Sequence, residues 1–263
     1  MNQEQIRSLF LIESLFVPDR IPMVYSDIDR SITGSAMPVK RTLKLLSSKK
    51  EMAAEYFTER REIGVINIGG KGVITADGKK YTMDHRDALY IGKETGEILF
   101  ASARSDKPAS FYFVSYPAHK KYPTTHAGST DAESTTLGAP ADANRRTIHK
   151  YIHPGGIQSC QLVMGLTELE EGNVWNTMPP HTHQRRSEIY MYFDLPRDAA
   201  VFHVMGEPGK TRHIVMRDRQ AILSPSWSVH TGVGTHAYKF IWSMGGENQV
   251  FGDMDGVDLE NIR

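Results

Sequence analysis

The chain has 263 residues, a single cysteine, and 31 basic side chains balanced by 31 acidic ones. That length supports one large domain or two small ones with a substantial core and no covalent staples. Zero net charge leaves no basic excess for phosphate backbones, which excludes nucleic acid as an expected partner, and a lone Cys160 fits a reducing compartment such as the cytoplasm.

The opening "NQEQIRSLFLIESLF" places Ile6, Leu9, Phe10, Leu11 and Leu15 near helical spacing, predicting a short amphipathic segment packed on something larger. Charge breaks its apolar runs well short of the roughly 20 residues of a membrane span. The N-terminus also lacks the basic region and small-residue cleavage site of an export signal, so no membrane partner is expected.

From Tyr56 the texture changes to short β-branched and aromatic runs punctuated by glycine, such as "IGVINIGGKGVITADGKKYTM", "DALYIG", "EILFAS" and "SFYFVS". These read as antiparallel strands. Asp77-Gly78 between "GVITA" and "KKYTM" is the two-residue signal of a type I′ hairpin. The polar stretch from Pro117 to about Asn144 has little periodicity and reads as a long connection. Strand texture then resumes in "CQLVMGLTEL", "SEIYMYFDL", "AAVFHVMG" and "AYKFIWSM". The expected class is mainly β, with a few short helices and two similar halves: residues 1–117, a connecting segment 118–150, and residues 151–263.

The halves echo each other. "ERREIGVINI" from Glu59 resembles "QRRSEIYMYF" from Gln184, and "RDALYIGKETGEILFAS" resembles "DRQAILSPSWSVHTGVG". A duplicated β-barrel explains this economically. Matching Glu62 to Glu188 puts Glu55 and Phe57 opposite His181 and His183, and matching Ala88 to Ala221 puts Glu97 opposite His230. One site per chain is therefore expected, in the second half.

"MPPHTHQRRSEIYMYF" places His181, His183 and Glu188 within eight residues. With 11 histidines in 263 residues, chance alone supplies about half of one H-x-H pair, so the pair needs support. On a strand, residues i and i+2 share a face and can present both imidazoles to one ion. Glu188 needs a turn to rejoin that face, which "QRRS" can supply. His230, five residues after Pro225, offers a third imidazole at the mouth of another strand. Three histidines and one glutamate suit Zn2+, Mn2+, Fe2+, Co2+ or Ni2+. His203 and His213 read as packed or surface residues.

The spacing H-x-H-x4-E followed by P-x4-H resembles the two cupin motifs. The fuller set "ERREIGVINIGGKGVITADG", "HRDALYIGK", "NRRTIHKY", "CQLVMGLTEL", "NVWNTMPPHTHQRRSEIYMYF", "KTRHIVMRD" and "SPSWSVHTGVGTHAYKFIWSMGGENQVFGDMD" resembles the 5-keto-4-deoxyuronate isomerase family over nearly the whole chain. The resemblance implies a bicupin fold of two antiparallel β-barrels, a homohexamer, and one Zn2+ per chain on His181, His183, Glu188 and His230. It also implies a ketol-isomerase acting on a small uronate, 5-dehydro-4-deoxy-D-glucuronate, to give 3-deoxy-D-glycero-2,5-hexodiulosonate.

Such a reaction moves hydrogen between C1 and C2 through an enediolate and needs a base. Glu188, Tyr190, Tyr192, His236 and Lys239 are the candidates. Arg185 and Arg186 are candidates for the substrate carboxylate, since a guanidinium grips a carboxylate through two parallel hydrogen bonds. Rival readings are a metal-dependent cupin oxygenase and a non-catalytic uronate-binding module.

Overall fold

The computed structural model describes all residues, 1–263, which fall into two compact units. One comprises Ser14–Ala132 and Tyr151–Val163; the other gathers Met1–Glu13, Glu133–Lys150 and Met164–Arg263. Strands dominate both.

In the first unit a six-stranded sheet runs in the order Thr125–Ala127, Ala88–Ile91, Arg61–Asn67, Phe111–Pro117, Ile32–Ala36, Met23–Tyr25. A four-stranded sheet runs Leu43–Lys44, Ile98–Ser102, Gly72–Ala76, Lys79–Met83. Ile63, Val65, Leu89 and Phe113 of the first sheet and Ile74 and Phe100 of the second meet in one buried core. Each such side chain contributes roughly 1.5–3 kcal/mol on burial. Asp77 and Gly78 both take positive φ, 47° and 79°, as a type I′ turn requires, and join Ala76 to Lys79 in register.

The second unit repeats the plan. Its seven-stranded sheet runs Leu11–Ile12, Ala221–Ser224, Arg186–Phe193, Lys239–Gly246, Val163–Leu169, Arg146–Ile152, Glu133–Leu137. Its four-stranded sheet runs Trp175–Asn176, Val229–Gly234, Val201–Gly206, Arg212–Met216. In sequence terms the central strands of the two units follow the same order. The stretch read as a connection carries strands Thr125–Ala127 and Glu133–Leu137, the latter paired antiparallel with Arg146–Ile152 so that Leu137 faces Arg146. Its Ser/Thr-rich composition and exposed faces hid the alternation that marks a strand.

The expected mainly β, antiparallel class is present, and no closed barrel is found among the sheets. Successive strands cross from one sheet to the other through turns, as Arg61–Asn67 does through Gly69 and Gly70 to Gly72–Ala76, so hydrogen bonding breaks at the corners and the sheets stay open.

The amphipathic opening segment is a helix, Gln3–Phe10, with an Asn2–Gln5 capping box and Ile6 and Phe10 buried. It is followed at once by Leu11–Ile12, which pairs with Ile222 and Ala221.

The repeat alignment slips by one residue at Glu62. Ile63 and Val65 face the core, so Glu62 points away from it, and strand pairing sets Ile63 against Ile91 as it sets Glu188 against Ser224. Ile63 is therefore the counterpart of Glu188 once Ala88 is matched to Ala221. A shift of one residue flips every side chain to the other face, and the shared letter "E" concealed it.

Candidate metal centre and its cavity

Two histidines come from a short segment that enters one of the two longest strands of the second unit. His181–Thr182 pairs with Asp255–Gly256, a turn follows in which the Arg186 amide donates to His183 O at 3.0 Å, and Arg186–Phe193 carries Glu188 two residues in. His230 arrives on Val229–Gly234, after a turn in which the Ser228 amide donates to Pro225 O at 2.9 Å.

The four side chains converge. His181 Nε2 lies 3.2 Å from both His183 Nε2 and His230 Nε2. Glu188 Oε2 lies 3.0 Å from His183 Nε2 and 2.8 Å from His230 Nε2. Four donors about 2.0–2.1 Å from one ion would stand roughly 2.9–3.4 Å apart for octahedral or tetrahedral angles, so the spacing fits a metal.

Tautomers fit as well. His183 Nδ1 donates to Asp253 O at 2.8 Å, and His230 Nδ1 faces Ser228 O at 3.4 Å. Where Nδ1 carries the ring proton toward these carbonyls, both Nε2 atoms turn a lone pair inward, beside a carboxylate that also only accepts. Such a cluster is completed by a cation at its centre or by a proton on one of the rings.

Positive charge on the imidazoles acts on Glu188 as a bound cation would. Burial pulls Glu188 toward the neutral acid, yet His230 and His183 outweigh it and hold its pKa well below the usual carboxylate range. Burial and the neighbouring His230 push His181 down to about 3, keeping it a neutral ligand. Burial likewise opposes charge on His183, but Glu188 outweighs it and raises that pKa, the response of a ring that binds either a proton or an ion.

Arg185 and Arg186, expected at the substrate carboxylate, both bond the 253–255 segment, and Arg186 keeps Nε and Nη1 without a partner. Arg185 Nε bonds both Asp253 oxygens at 2.9 Å and Nη2 bonds Asp255 at 2.9 Å. Arg186 is buried, and its Nη2 donates to Asp253 O at 2.6 Å, the carbonyl that also orients His183. Neither lines the cavity. Arg185→Ala should loosen the 253–255 segment and weaken metal retention by about 10-fold, the lower end of outer-shell effects. Competition against a chelator measures this; unchanged affinity would show that the ion pair does not support His183.

A cavity of about 400 Å³ opens beside the cluster, with His181, His183 and Glu188 on its wall. Tyr190, Phe240, Trp242 and Met244 form an apolar side, and Thr167, Asn176, Thr177 and Arg146 add polar groups. Trp242 sits there because Gly165 leaves room: a Cβ on Gly165 would lie 2.3 Å from the indole. Trp242 Nε1 donates to Thr167 Oγ1 at 3.1 Å.

Among the residues expected as base, Glu188 and Tyr190 reach the cavity. Tyr190 Oη is 3.1 Å from Thr177 Oγ1, and burial raises its pKa far above the ordinary value, so it is a neutral phenol. Tyr192 shares its face but turns away, with Oη 2.7 Å from His203 Nδ1. Lys239 pairs with Asp194 at 2.8 Å, and His236 is exposed and bonds Ala237 O. Both lie outside the cavity wall. Arg146 was missed, since it begins a strand inside a stretch read as connection, and no spacing rule points to it.

His203 is fully buried, and burial pushes its pKa down to about 3. In the unfolded chain it titrates near 6.5. Between those values the unfolded chain binds a proton that the folded one does not, so this contribution to stability is intact above pH 6.5 and is lost as pH falls toward 3. His203→Gln should lower the dependence of unfolding free energy on pH in that window by up to about 1.4 kcal/mol per unit. Urea melts of chelator-treated protein at pH 7, 5.5 and 4.5 test this, and an unchanged slope would refute it.

Two mainly antiparallel units, one of them carrying three histidines and a glutamate beside a cavity, define a cupin-like protein with a site able to hold a metal ion. Comparison with known proteins narrows the class. The chain belongs to the KduI/IolB family, whose model matches residues 18–262. It is 54% identical over 264 residues to the 4-deoxy-L-threo-5-hexosulose-uronate ketol-isomerase of Enterobacter sp. strain 638, covering 100% of this chain and 95% of that protein. The protein of the same name from Caldicellulosiruptor bescii is 53% identical over 263 residues, with the same coverage. Among solved structures, an IolB-like protein from Salmonella typhimurium LT2 superposes with a TM-score of 0.74 at 11% identity, over 94% of this chain and 96% of that one. Lactobacillus farciminis oxalate decarboxylase matches at 0.58 and 10%, over 87% and 79%. These two likenesses speak for the fold alone.

Proposed function

We propose that the chain is a metal-dependent ketol-isomerase that converts 5-dehydro-4-deoxy-D-glucuronate to 3-deoxy-D-glycero-2,5-hexodiulosonate in the breakdown of pectin-derived uronates. Relatives at 53–54% identity over the whole chain bear the name of that activity. The observation that carries the chemistry is the inward-facing set of three imidazoles and one carboxylate at the wall of a cavity. His181, His183, Glu188 and His230 hold the ion, and zinc suits an N3O set of this kind. Matching strand orders support a duplicated cupin, or bicupin, and the family resemblance supports a hexamer.

A divalent ion held by these four residues would supply Lewis acidity, making the C2 proton easier to remove. The protein's own residues do the rest. Glu188 is the one carboxylate on the cavity wall, and on shifting off the ion it is the group placed to accept the C2 proton and return it at C1. The Tyr190 hydroxyl, kept neutral, donates a hydrogen bond to the substrate oxygen that gains charge. Phe240, Trp242 and Met244 exclude water from that region.

Following the uronate by NMR tests this. Isomerisation without oxygen uptake is the expected result. Oxygen consumption would point to a cupin oxygenase, and tight binding without turnover to a binding module.

A further inference from the structure

The cavity wall carries one arginine or lysine, and it is neither of the arginines beside the histidine pair. Arg146 opens the strand Arg146–Ile152 and contributes to the wall together with Leu137, Thr167, Tyr190 and Trp242. It is 8% exposed. Its one hydrogen bond runs from Nη1 to Asn144 O at 2.9 Å.

A guanidinium presents five N–H donors in a planar fork. Burying it with one neutral acceptor leaves most of those donors and the full charge uncompensated, which is costly unless an anion arrives. Nothing acidic in the chain fills that role: the only carboxylate on the wall, Glu188, is turned to His183 and His230. The remaining wall near Arg146 is apolar or hydroxyl-bearing, a surrounding that strengthens a charge pair formed there.

We propose that Arg146 is the anchor for the substrate's carboxylate, gripping it through two parallel hydrogen bonds so that the opposite, carbonyl-bearing end of the open chain faces the histidine cluster. The assignment rests on the uronate-isomerase reading and deepens it: selection for a sugar acid over a neutral sugar falls to a residue from a different strand than any of the four cluster residues. Orientation follows from the same contact, because only one end of the substrate is anionic.

The test compares wild type with Arg146→Met and Arg146→Lys on two substrates, the uronate and the same keto-sugar with its C6 carboxylate reduced to CH2OH. Arg146→Met should raise KM for the uronate by about 100-fold, as expected for losing two charge-assisted hydrogen bonds, with a much smaller change in kcat. KM for the neutral sugar should stay within about 3-fold, since that substrate never used the charge. Arg146→Lys, which keeps the charge but not the fork, should lose about 10-fold for the uronate. Metal content and thermal melting check that the variants are folded. A residue that merely pins the Asn144 carbonyl would affect both substrates alike, and that result overturns the anchor, as does an unchanged uronate KM in either variant. If Arg146→Met does not fold, the Lys variant alone decides by the same comparison. Calorimetric binding of the uronate separates the two readings: wild type that binds it through Arg146 without isomerising it sinks the reaction and supports the anchor, whereas wild type that isomerises it with Arg146→Met binding equally well sinks the anchor alone.

Discussion

Replacing His183 with alanine is expected to remove metal binding and isomerisation together. His183 Nε2 touches Glu188 Oε2 and His181 Nε2, and its Nδ1 is fixed by Asp253 O. Its loss leaves three donors, frees one side of Glu188 and opens the cluster to the cavity. Elemental analysis should fall from one ion per chain to a small fraction, and kcat/KM should drop by at least about 10^3-fold, the scale of losing a preorganised electrostatic stabiliser. The fold should survive, since the ring sits on a turn before Arg186–Phe193 and not within the sheet's interior. Full activity in a metal-free His183→Ala protein would end the proposal that a metal assists the enediolate.

The second large effect concerns stability. Glu62, fully buried, accepts at Oε1 from the amides of Gln161 and Leu162, both at 2.9 Å. Its Oε2 accepts from the Cys160 amide at 2.6 Å and from Tyr90 Oη at 2.8 Å. Glu62→Ala would leave three backbone N–H groups and a phenol without their acceptor, the Leu162 amide and the Tyr90 hydroxyl among them buried. Breaking a buried charged network of this kind costs about 3–5 kcal/mol. For a chain of this size that lowers Tm by roughly 10 °C. Glu62→Gln keeps the volume but turns an N–H2 toward amide donors, so it should recover only part of the loss. Thermal melting measures both, and a change under about 1 kcal/mol for Glu62→Ala would show that the 160–162 segment finds other partners. Metal content of the folded protein should be unaffected, because none of the four cluster residues contacts Glu62.

Much of this was legible in the sequence. His181 and His183 do lie side by side, although the strand ends at Thr182, "QRRS" lies at the turn that brings Glu188 to them, and Pro225 does precede the strand that brings His230. Those are local consequences of strand geometry. What could not be read depends on pairing between distant segments. Asp253 orients His183 from 70 residues away, and Arg146 reaches the cavity only because its strand lies two places from Lys239–Gly246 in the sheet. Arg185 and Arg186 were natural candidates by adjacency, yet adjacency along the chain says nothing about which face a turn presents. Glu62 failed differently: it lies in a convincing repeat, and a single slip in register moved it from a supposed relic of the site to a clamp on another loop.

The unit that bears the histidine cluster begins and ends with strands far apart in the chain, and this fixes an order of events during synthesis. Leu11–Ile12 leaves the ribosome about 200 residues before its partner Ala221–Ser224, a delay on the order of 10–40 s at ordinary elongation rates. Most of the other unit, from Ser14 to Ala132, has emerged by then and can pair its own strands. The N-terminal helix, with Ile6 and Phe10 uncovered, must wait as a tether for the final third of the polypeptide, so the nascent chain completes the unit with the histidine cluster last.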